Sequence, residues 1–120
     1  MVTNIICYLR THRRERGLTQ QELARLLLGQ SRAGISRVER GLRAPSIETA
    51  IAASVLFGIP TKELFPELYR DIEERVIEQA YTLYQKAKSE QSRRSPAIEK
   101  LLQESMKRAG EDEELTHAPA

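Results

Sequence analysis

The sequence predicts an all-α fold, and three observations carry this prediction. Apolar residues recur every three or four positions through most of the 120 residues, which is the spacing of one helix face. Residues that cap the amino ends of helices precede several of these segments, and Gly or Pro follows them. The strict apolar–polar alternation of a half-buried strand is missing from the sequence. We therefore expect short helices up to about residue 66 and longer helices after it.

The first two predicted helices are separated by Gly17. Asn4 is expected to cap the first helix, and Cys7 is expected inside that helix as a small core residue. Thr19 opens the second helix, because Thr19 and Glu22 have the spacing of a capping box, in which hydroxyl and carboxylate satisfy free backbone amides. The apolar face of the second helix is predicted to consist of Leu23, Leu26 and Leu27.

The third helix is expected to begin after a serine cap. Ser31 precedes a helix over residues 32–40, whose inward face is predicted to be Ile35 and Val38. The fourth helix is expected to begin at Pro45-Ser46 and to end at Phe57-Gly58. The apolar residues that it is predicted to carry are Ile47, Ala50, Ile51, Val55 and Leu56.

A different pattern follows the short fifth helix, which opens at Pro60-Thr61. Residues 67–89 contain no Gly or Pro and carry one apolar stripe along roughly six helical turns. This stripe consists of Leu68, Ile72, Val76, Ala80, Leu83 and Ala87.

The end of the chain is expected to contain one more helix. A polar link over residues 89–94 leads to Ser95, the predicted cap of a helix that ends at Ala109 with Gly110 as its stop. The remaining residues begin with four acids and are expected to be disordered. The chain thus divides into residues 1–66, a helical extension over 67–109 and an acidic tail over 110–120.

The charge is unevenly distributed along the chain. Residues 1–45 contain nine Arg, no Lys and three acidic residues, a balance of +6, whereas residues 46–120 have a balance of −4. The planar guanidinium of Arg suits two-point contacts with phosphates and with guanine edges. A solvated surface that happens to be rich in Arg is the alternative, and charge alone does not decide between the two.

The composition argues against several classes of protein. The one Cys cannot form an internal disulfide, and no apolar run approaches the roughly 20 residues of a membrane span. His12 and His117 have no Cys or acidic residue at metal-ligand spacing, so no metal is expected. Catalytic residue sets and cofactor-binding motifs are not found in the sequence. We therefore expect a cytoplasmic protein, not bound to membranes, that is not an enzyme and needs no cofactor.

Two segments carry a motif. GLTQQELA over residues 17–24 and ISRVERG over residues 35–41 resemble the Cro/repressor-type, or xenobiotic-response-element-type, helix-turn-helix family. Residues 45–49 and 58–65 are similar to the family as well, so the resemblance covers about residues 5–66. It implies a five-helix lambda-repressor-like domain, followed here by a long amphipathic helix and a shorter carboxy-terminal helix. Between the two motif segments this chain has one residue more than the usual family spacing.

The resemblance also implies roles for individual residues. In this family the second helix lies across the phosphate backbone while the third enters the major groove. The residues that resemble base-reading positions are Arg32 and Arg37, with Ala33 and Ser36 secondary. The residues that resemble phosphate-contacting positions are Gln20, Ser31, Arg40 and Arg43. Arg13 and Glu39 match the family pair that ties the first helix to the third, so both are expected to be structural.

The function implied by the resemblance is regulation of transcription through sequence-specific binding of double-stranded DNA, as a homodimer on a palindromic operator. A repressor is expected, and recruitment of polymerase is the alternative. Ile72, Val76 and Leu83 are expected at the centre of a dimer interface within residues 67–109, because a long apolar stripe left in water usually marks an interface. Folding back onto the first domain, or pairing only with residues 96–109, are the alternatives. Two other functions remain open: an antitoxin with a toxin partner, and an adaptor that bridges proteins without binding DNA.

Overall fold

The computed structural model of the protein describes residues 7–89 and 96–116. Every secondary-structure element in these ranges is an α-helix, so the predicted fold class is confirmed. The described residues form seven helices: α1 (Leu9–Glu15), α2 (Gln20–Leu26), α3 (Arg32–Glu39), α4 (Ile47–Phe57), α5 (Thr61–Leu64), α6 (Pro66–Ser89) and α7 (Pro96–Thr116).

The chain divides into two compact units, Met1–Arg70 and Asp71–Ala120, and the boundary between them falls within the sequence of α6. The first unit contains α1 to α5 and the beginning of α6, and its core receives buried side chains from each of α1 to α5. Because each of these helices is short, packing around this shared core stabilises them more than their own propensity does. The core residues are Leu9, Leu23, Ala24, Leu27, Ile35, Val38, Ala53, Phe57, Leu64 and Phe65.

The predicted caps Thr19 and Ser31 are present with good hydrogen-bond geometry, and Ser46 caps α4 in the same way. In the capping box of α2, Thr19 Oγ1 accepts from the Glu22 amide at 3.0 Å, and Glu22 Oε1 accepts from the Thr19 amide at 2.9 Å. The Thr19 amide and hydroxyl lower the pKa of Glu22, because they stabilise its carboxylate form. Ser31 Oγ accepts from the Gly34 amide at 2.9 Å, and Ser46 Oγ accepts from the Thr49 amide at 3.1 Å.

The turn that joins α2 to α3 contains two successive residues with left-handed backbone. Leu28 has a φ of 66° and Gly29 a φ of 77°, so two successive residues adopt the left-handed conformation. The Gln30 amide then donates to the Ala24 carbonyl at 3.0 Å, which closes the end of α2. Leu28 is the only non-glycine residue with a positive φ in the described part of the chain.

The beginning of α1 differs from the prediction. The helix starts at Leu9, so Cys7 precedes it instead of lying inside it. Cys7 Sγ accepts from the Leu9 amide at 3.4 Å, and the side chain packs partly buried against the core, which raises the pKa of the thiol by desolvation. The predicted cap, Asn4, lies outside the described residues.

The side of α4 that faces the core is not formed by the apolar residues that the sequence analysis names for this helix. Thr49, Ala53 and Phe57 face the core, at spacings of four residues. Thr49 can be buried because its hydroxyl accepts a hydrogen bond from Ser46 Oγ at 2.9 Å, so no polar atom is left unpaired there. Most of the remaining positions of α4 are apolar, and periodicity therefore does not define its inward side. The apolar residues named from the sequence but found exposed are Ile47, Ile51, Val55 and Leu56, together with Leu26 of α2.

The second unit consists of α7 and the part of α6 from Asp71 onward. Residues buried within it are Ala80, Ala87 and Leu102, and Gln103 Nε2 donates to Tyr84 Oη at 2.7 Å. The apolar stripe of α6 is therefore only partly covered. Of its predicted central residues, Ile72 and Val76 are exposed and Leu83 is half-buried.

The helix α7 does not stop at Gly110 but continues to Thr116, which corrects the predicted end at Ala109. Gly110 has no left-handed backbone, and the residues that follow are rich in Glu, a good helix former. Of the predicted link over residues 89–94, Ser89 is the last residue of α6. The rest of that link, the predicted cap Ser95 and the last four residues of the tail lie outside the described residues.

Candidate nucleic-acid interface

The helix α3 presents one polar face outward and one apolar face to the core. Gly34, Ile35, Val38 and Glu39 are buried, and they follow the spacing of one helix side. The four residues that the sequence predicts as base readers lie on the other side of α3. Of these, Arg32, Ala33 and Arg37 are exposed and Ser36 is half-buried. All four therefore share one accessible face.

A buried carboxylate ties α3 to α1 and α2. Glu39 Oε2 accepts from Arg13 Nε at 2.6 Å, and Glu39 Oε1 accepts from Arg13 Nη2 at 3.1 Å. The side chains of Glu39 and Arg13 are 0% and 10% exposed. Arg13 Nη1 also donates to the Leu18 carbonyl, just before α2, at 2.9 Å. The pair that the sequence predicts as structural is thus a two-point ion pair that fixes how α3 sits on the other two helices.

Gln20 joins the same carboxylate, a contact that the sequence analysis does not predict. Its Nε2 donates to Glu39 Oε1 at 3.0 Å, from the first turn of α2. An amide nitrogen carries two hydrogens, so this contact leaves one donor for an external group such as a phosphate. The position of Gln20 at the surface of α2 is compatible with its predicted phosphate contact.

A basic cleft opens beside these residues. Its lining comes from α1, the beginning of α2 and the beginning of α3, and it encloses about 670 Å³. Arg10 Nε lies 3.7 Å from Glu39 Oε1 and makes no hydrogen bond within the described residues, although the atom is buried. The lining residues are Arg10, Arg13, Arg14, Thr19, Gln20, Gln21 and Arg32.

The sequence analysis gives no role to Arg10 or Arg14. Both belong to the arginine-rich first 45 residues, and their spacing of four places them on one side of α1. That spacing is the signal that could have identified them. The structure brings both to the cleft that Arg32 and Gln20 also line, so the cleft has an excess of positive charge facing solvent.

The other predicted phosphate contacts lie at the two ends of α3: Ser31 directly before it, and Arg40 and Arg43 after it. Ser31 is exposed, and its hydroxyl serves as the cap of α3. Arg40, also exposed, donates from Nε to the Ser36 carbonyl at 3.3 Å, which leaves its terminal nitrogens without a hydrogen bond in the described residues. Arg43 is exposed beyond the end of α3.

Gly34 has a packing role inside α3. A Cβ at this position would lie 3.0 Å from Ser31 Oγ and 3.8 Å from Arg43 Nη1. Gly34 is buried on the inner side of α3, so the space left by its missing side chain lies beside the Ser31 cap and not at the outer face. Without a side chain at Gly34, the Ser31 hydroxyl keeps its place over the first turn.

Two short helices joined by a turn, the second with a polar outer face and a basic cleft beside it, define a helix-turn-helix domain of the DNA-binding class. Residues 9–64 match the family model described as helix-turn-helix. This part of the chain belongs to the Cro/repressor-type helix-turn-helix family. No curated protein and no solved structure matches the chain.

Within residues 7–89 and 96–116, no helix combines the length and the apolar character that crossing a membrane needs.

Proposed function

We propose that this helix-turn-helix protein is a sequence-specific repressor of transcription that binds a palindromic operator as a homodimer. The observation that carries the proposal is the outer face of α3, which holds two exposed arginines on a helix whose orientation is fixed by the buried Glu39–Arg13 pair. A recognition helix must keep its orientation while its outer side chains remain free, and α3 has both properties.

The outer face of α3 is suited to contact base edges in the major groove. Arg37 is exposed and makes no hydrogen bond through its side chain among the contacts of the described residues. A guanidinium that meets O6 and N7 of guanine contributes roughly 1–3 kcal/mol of discrimination. In this proposal Arg32 and Arg37 are the principal base readers, and Ala33 and Ser36 contact neighbouring base edges.

The residues around that face are suited to grip the phosphate backbone. Gln20, Ser31, Arg40 and Arg43 flank α3 on both sides, as the family resemblance implies. We add Arg10 and Arg14 to these, because both line the basic cleft beside Gln20. Phosphate contacts position the protein but carry no sequence information, so these residues supply affinity and salt dependence.

The homodimer is proposed to form through α6. Ile72 and Val76 lie on its apolar stripe and remain exposed in the single chain, whereas Ala80 and Ala87, further along the stripe, are buried. A second copy would remove both side chains from water. Two copies related by a twofold axis would then read half-sites about 34 Å apart.

Occupation of an operator that overlaps a promoter would block polymerase, which is the mechanism of repression proposed here. An antitoxin would use the same DNA contacts but would require a toxin that binds the extension over α6 and α7. A short reading frame of toxin size next to the gene for this protein would favour that second function. An adaptor without DNA binding is disfavoured by the +6 balance of residues 1–45.

The test is selection of bound duplexes from a random library by the full chain. The proposal predicts an enriched, inverted-repeat sequence whose half-site centres are about 10 base pairs apart. Binding of that duplex should weaken steeply as salt rises, since each phosphate contact releases counterions. Failure to enrich any sequence, together with salt-independent mobility on duplex DNA, would contradict the proposal and favour the adaptor.

A further inference from the structure

The first unit exposes a continuous set of aliphatic side chains that its own core does not use. We call this set the aliphatic face; five of its residues, all except Ile47, line an open groove between the end of α2 and the outer side of α4, together with Glu48 and Ala52. Ile47 lies one helical turn before Ile51, on the same side of α4. The aliphatic face consists of Leu26, Leu28, Ile47, Ile51, Val55 and Leu56.

The size of the aliphatic face is unusual for a small unit. Its six residues are between 38% and 78% exposed, and their exposed fractions add up to more than three fully exposed aliphatic residues. At roughly 100 Å² for each fully exposed side chain, the face presents roughly 350 Å² of apolar surface. This lies in the range of the largest apolar patches on soluble proteins, which usually bind something.

Leu28 gives a second, independent indication. Its φ of 66° lies in the left-handed region, where glycine is favoured and a branched aliphatic side chain is disfavoured. Its side chain is 70% exposed, so the fold gains little burial from a leucine at this position. A residue that strains the backbone and packs weakly within the chain is best explained by a contact outside the chain.

The charges around the aliphatic face indicate a second copy of the chain as its occupant. Glu48 lines the groove, and exposed Arg25 stands directly before Leu26 on α2. In a twofold contact, if one residue of the first copy meets a second residue of the other copy, the reverse pair also forms. Two such faces can therefore bring Glu48 of each copy towards Arg25 of the other. A homotypic contact through the arginine-lined cleft would instead set like charges together.

The area also agrees with a homodimer contact. Two faces of roughly 350 Å² would bury roughly 700 Å² of apolar surface. Because apolar atoms supply about 60% of a typical interface, the whole contact would reach about 1,200 Å². This is the lower end of the range for specific, stable interfaces.

We propose that the aliphatic face is a self-association surface, through which the first units of two copies bind each other. This contact is separate from the one proposed for α6, and it involves residues of α2, α4 and the turn between α2 and α3 only. It also assigns a role to the left-handed Leu28 of that turn, which lines the groove.

The test measures the dissociation constant of self-association by sedimentation equilibrium of the full chain without DNA. It is made in the unmodified chain and in a chain carrying Ile72→Glu and Val76→Glu, which removes the contact proposed for α6. In each background we compare Val55→Glu, Leu28→Gly and the matched control Leu42→Glu, another exposed aliphatic residue that does not line the groove. Circular dichroism monitors the fold of every variant.

In the chain with both α6 substitutions, Val55→Glu and Leu28→Gly are each expected to raise the dissociation constant about tenfold or more, while Leu42→Glu leaves it unchanged. Leu28→Gly also relieves the left-handed backbone, so weaker association with an intact fold cannot be attributed to unfolding. The proposal is overturned if neither face variant weakens association, if the control weakens it equally, or if this chain is monomeric at hundreds of micromolar.

The two backgrounds distinguish this proposal from the α6 interface. Association that survives Ile72→Glu and Val76→Glu but disappears with Val55→Glu supports the aliphatic face and contradicts α6 as the dominant contact. Association that is abolished by the α6 substitutions alone supports α6 and overturns the present proposal.

Discussion

The buried pair of Arg13 and Glu39 allows a sharp test of how the first unit is held together. Replacing Glu39 with Leu removes the carboxylate that accepts from Arg13 at 2.6 and 3.1 Å and from Gln20 at 3.0 Å. The guanidinium of Arg13 would then be buried with only the Leu18 carbonyl as a partner. Leaving one member of a buried pair unpaired is destabilising by about 3–5 kcal/mol.

That loss is large compared with the whole stability of the unit. A unit of 70 residues has an unfolding free energy of roughly 4–10 kcal/mol, at the usual contribution per residue. Glu39→Leu should therefore bring the first unit close to unfolding at room temperature. Replacing both residues, as Arg13→Met with Glu39→Leu, should recover most of the loss, because the charge left without its partner is then that of Arg10, whose side chain is 38% exposed to solvent.

Amide hydrogen exchange of α1, α2 and α3 is the appropriate assay, since it reports the opening free energy of the first unit separately from that of the second. The matched control is Asp71→Asn, which breaks the exposed ion pair with Arg75 in the second unit and should change no amide of α1 to α3. The reasoning is refuted if Glu39→Leu is as mild as this control, or if the double variant is as unstable as the single one.

Three further predictions concern local features. Gly34→Ala should fail to give the gain of about 1 kcal/mol expected in a helix interior, because its Cβ would displace the Ser31 hydroxyl; urea denaturation measures this. The pKa of Glu22 is lowered in the folded chain, so this carboxylate stabilises the fold above the pKa that Glu22 has when unfolded. That stabilisation is lost as the pH falls through the lower, folded pKa. Glu22→Gln should therefore remove this part of the acid dependence of stability, which urea titrations at several pH values measure. Ile72→Glu should shift the full chain towards monomer in sedimentation, and an unchanged mass would contradict the α6 interface.

Features set by local chemistry could be predicted from the sequence. Thr19 and Ser31 are predictable as caps because a hydroxyl, a free amide and their spacing are all contained within four residues. The long helix α6 was predicted with nearly correct ends, since an uninterrupted apolar stripe without Gly or Pro has few alternatives.

Features set by tertiary packing could not be predicted. The helix α4 has apolar residues on all sides, so its inward face depends on which side the core selects, and that side contains Thr49. The left-handed Leu28 was not foreseen, because no propensity favours leucine in this conformation. The four-residue spacing of Arg10 and Arg14 indicates that they share one side of α1, but their contribution to the cleft depends on the placement of α1 beside α2, which that spacing does not encode.

The central claim is that the outer face of α3 reads bases, and one measurement tests it most directly. Affinities of the unmodified chain and of Arg37→Ala are measured for the selected operator and for duplexes with each base pair changed in turn, with Arg14→Gln as the control for a phosphate contact. We predict that Arg37→Ala loses roughly 1–3 kcal/mol of discrimination at one base pair per half-site, whereas Arg14→Gln weakens all duplexes alike. Equal weakening of every duplex by Arg37→Ala, with discrimination unchanged at each position, would contradict the account.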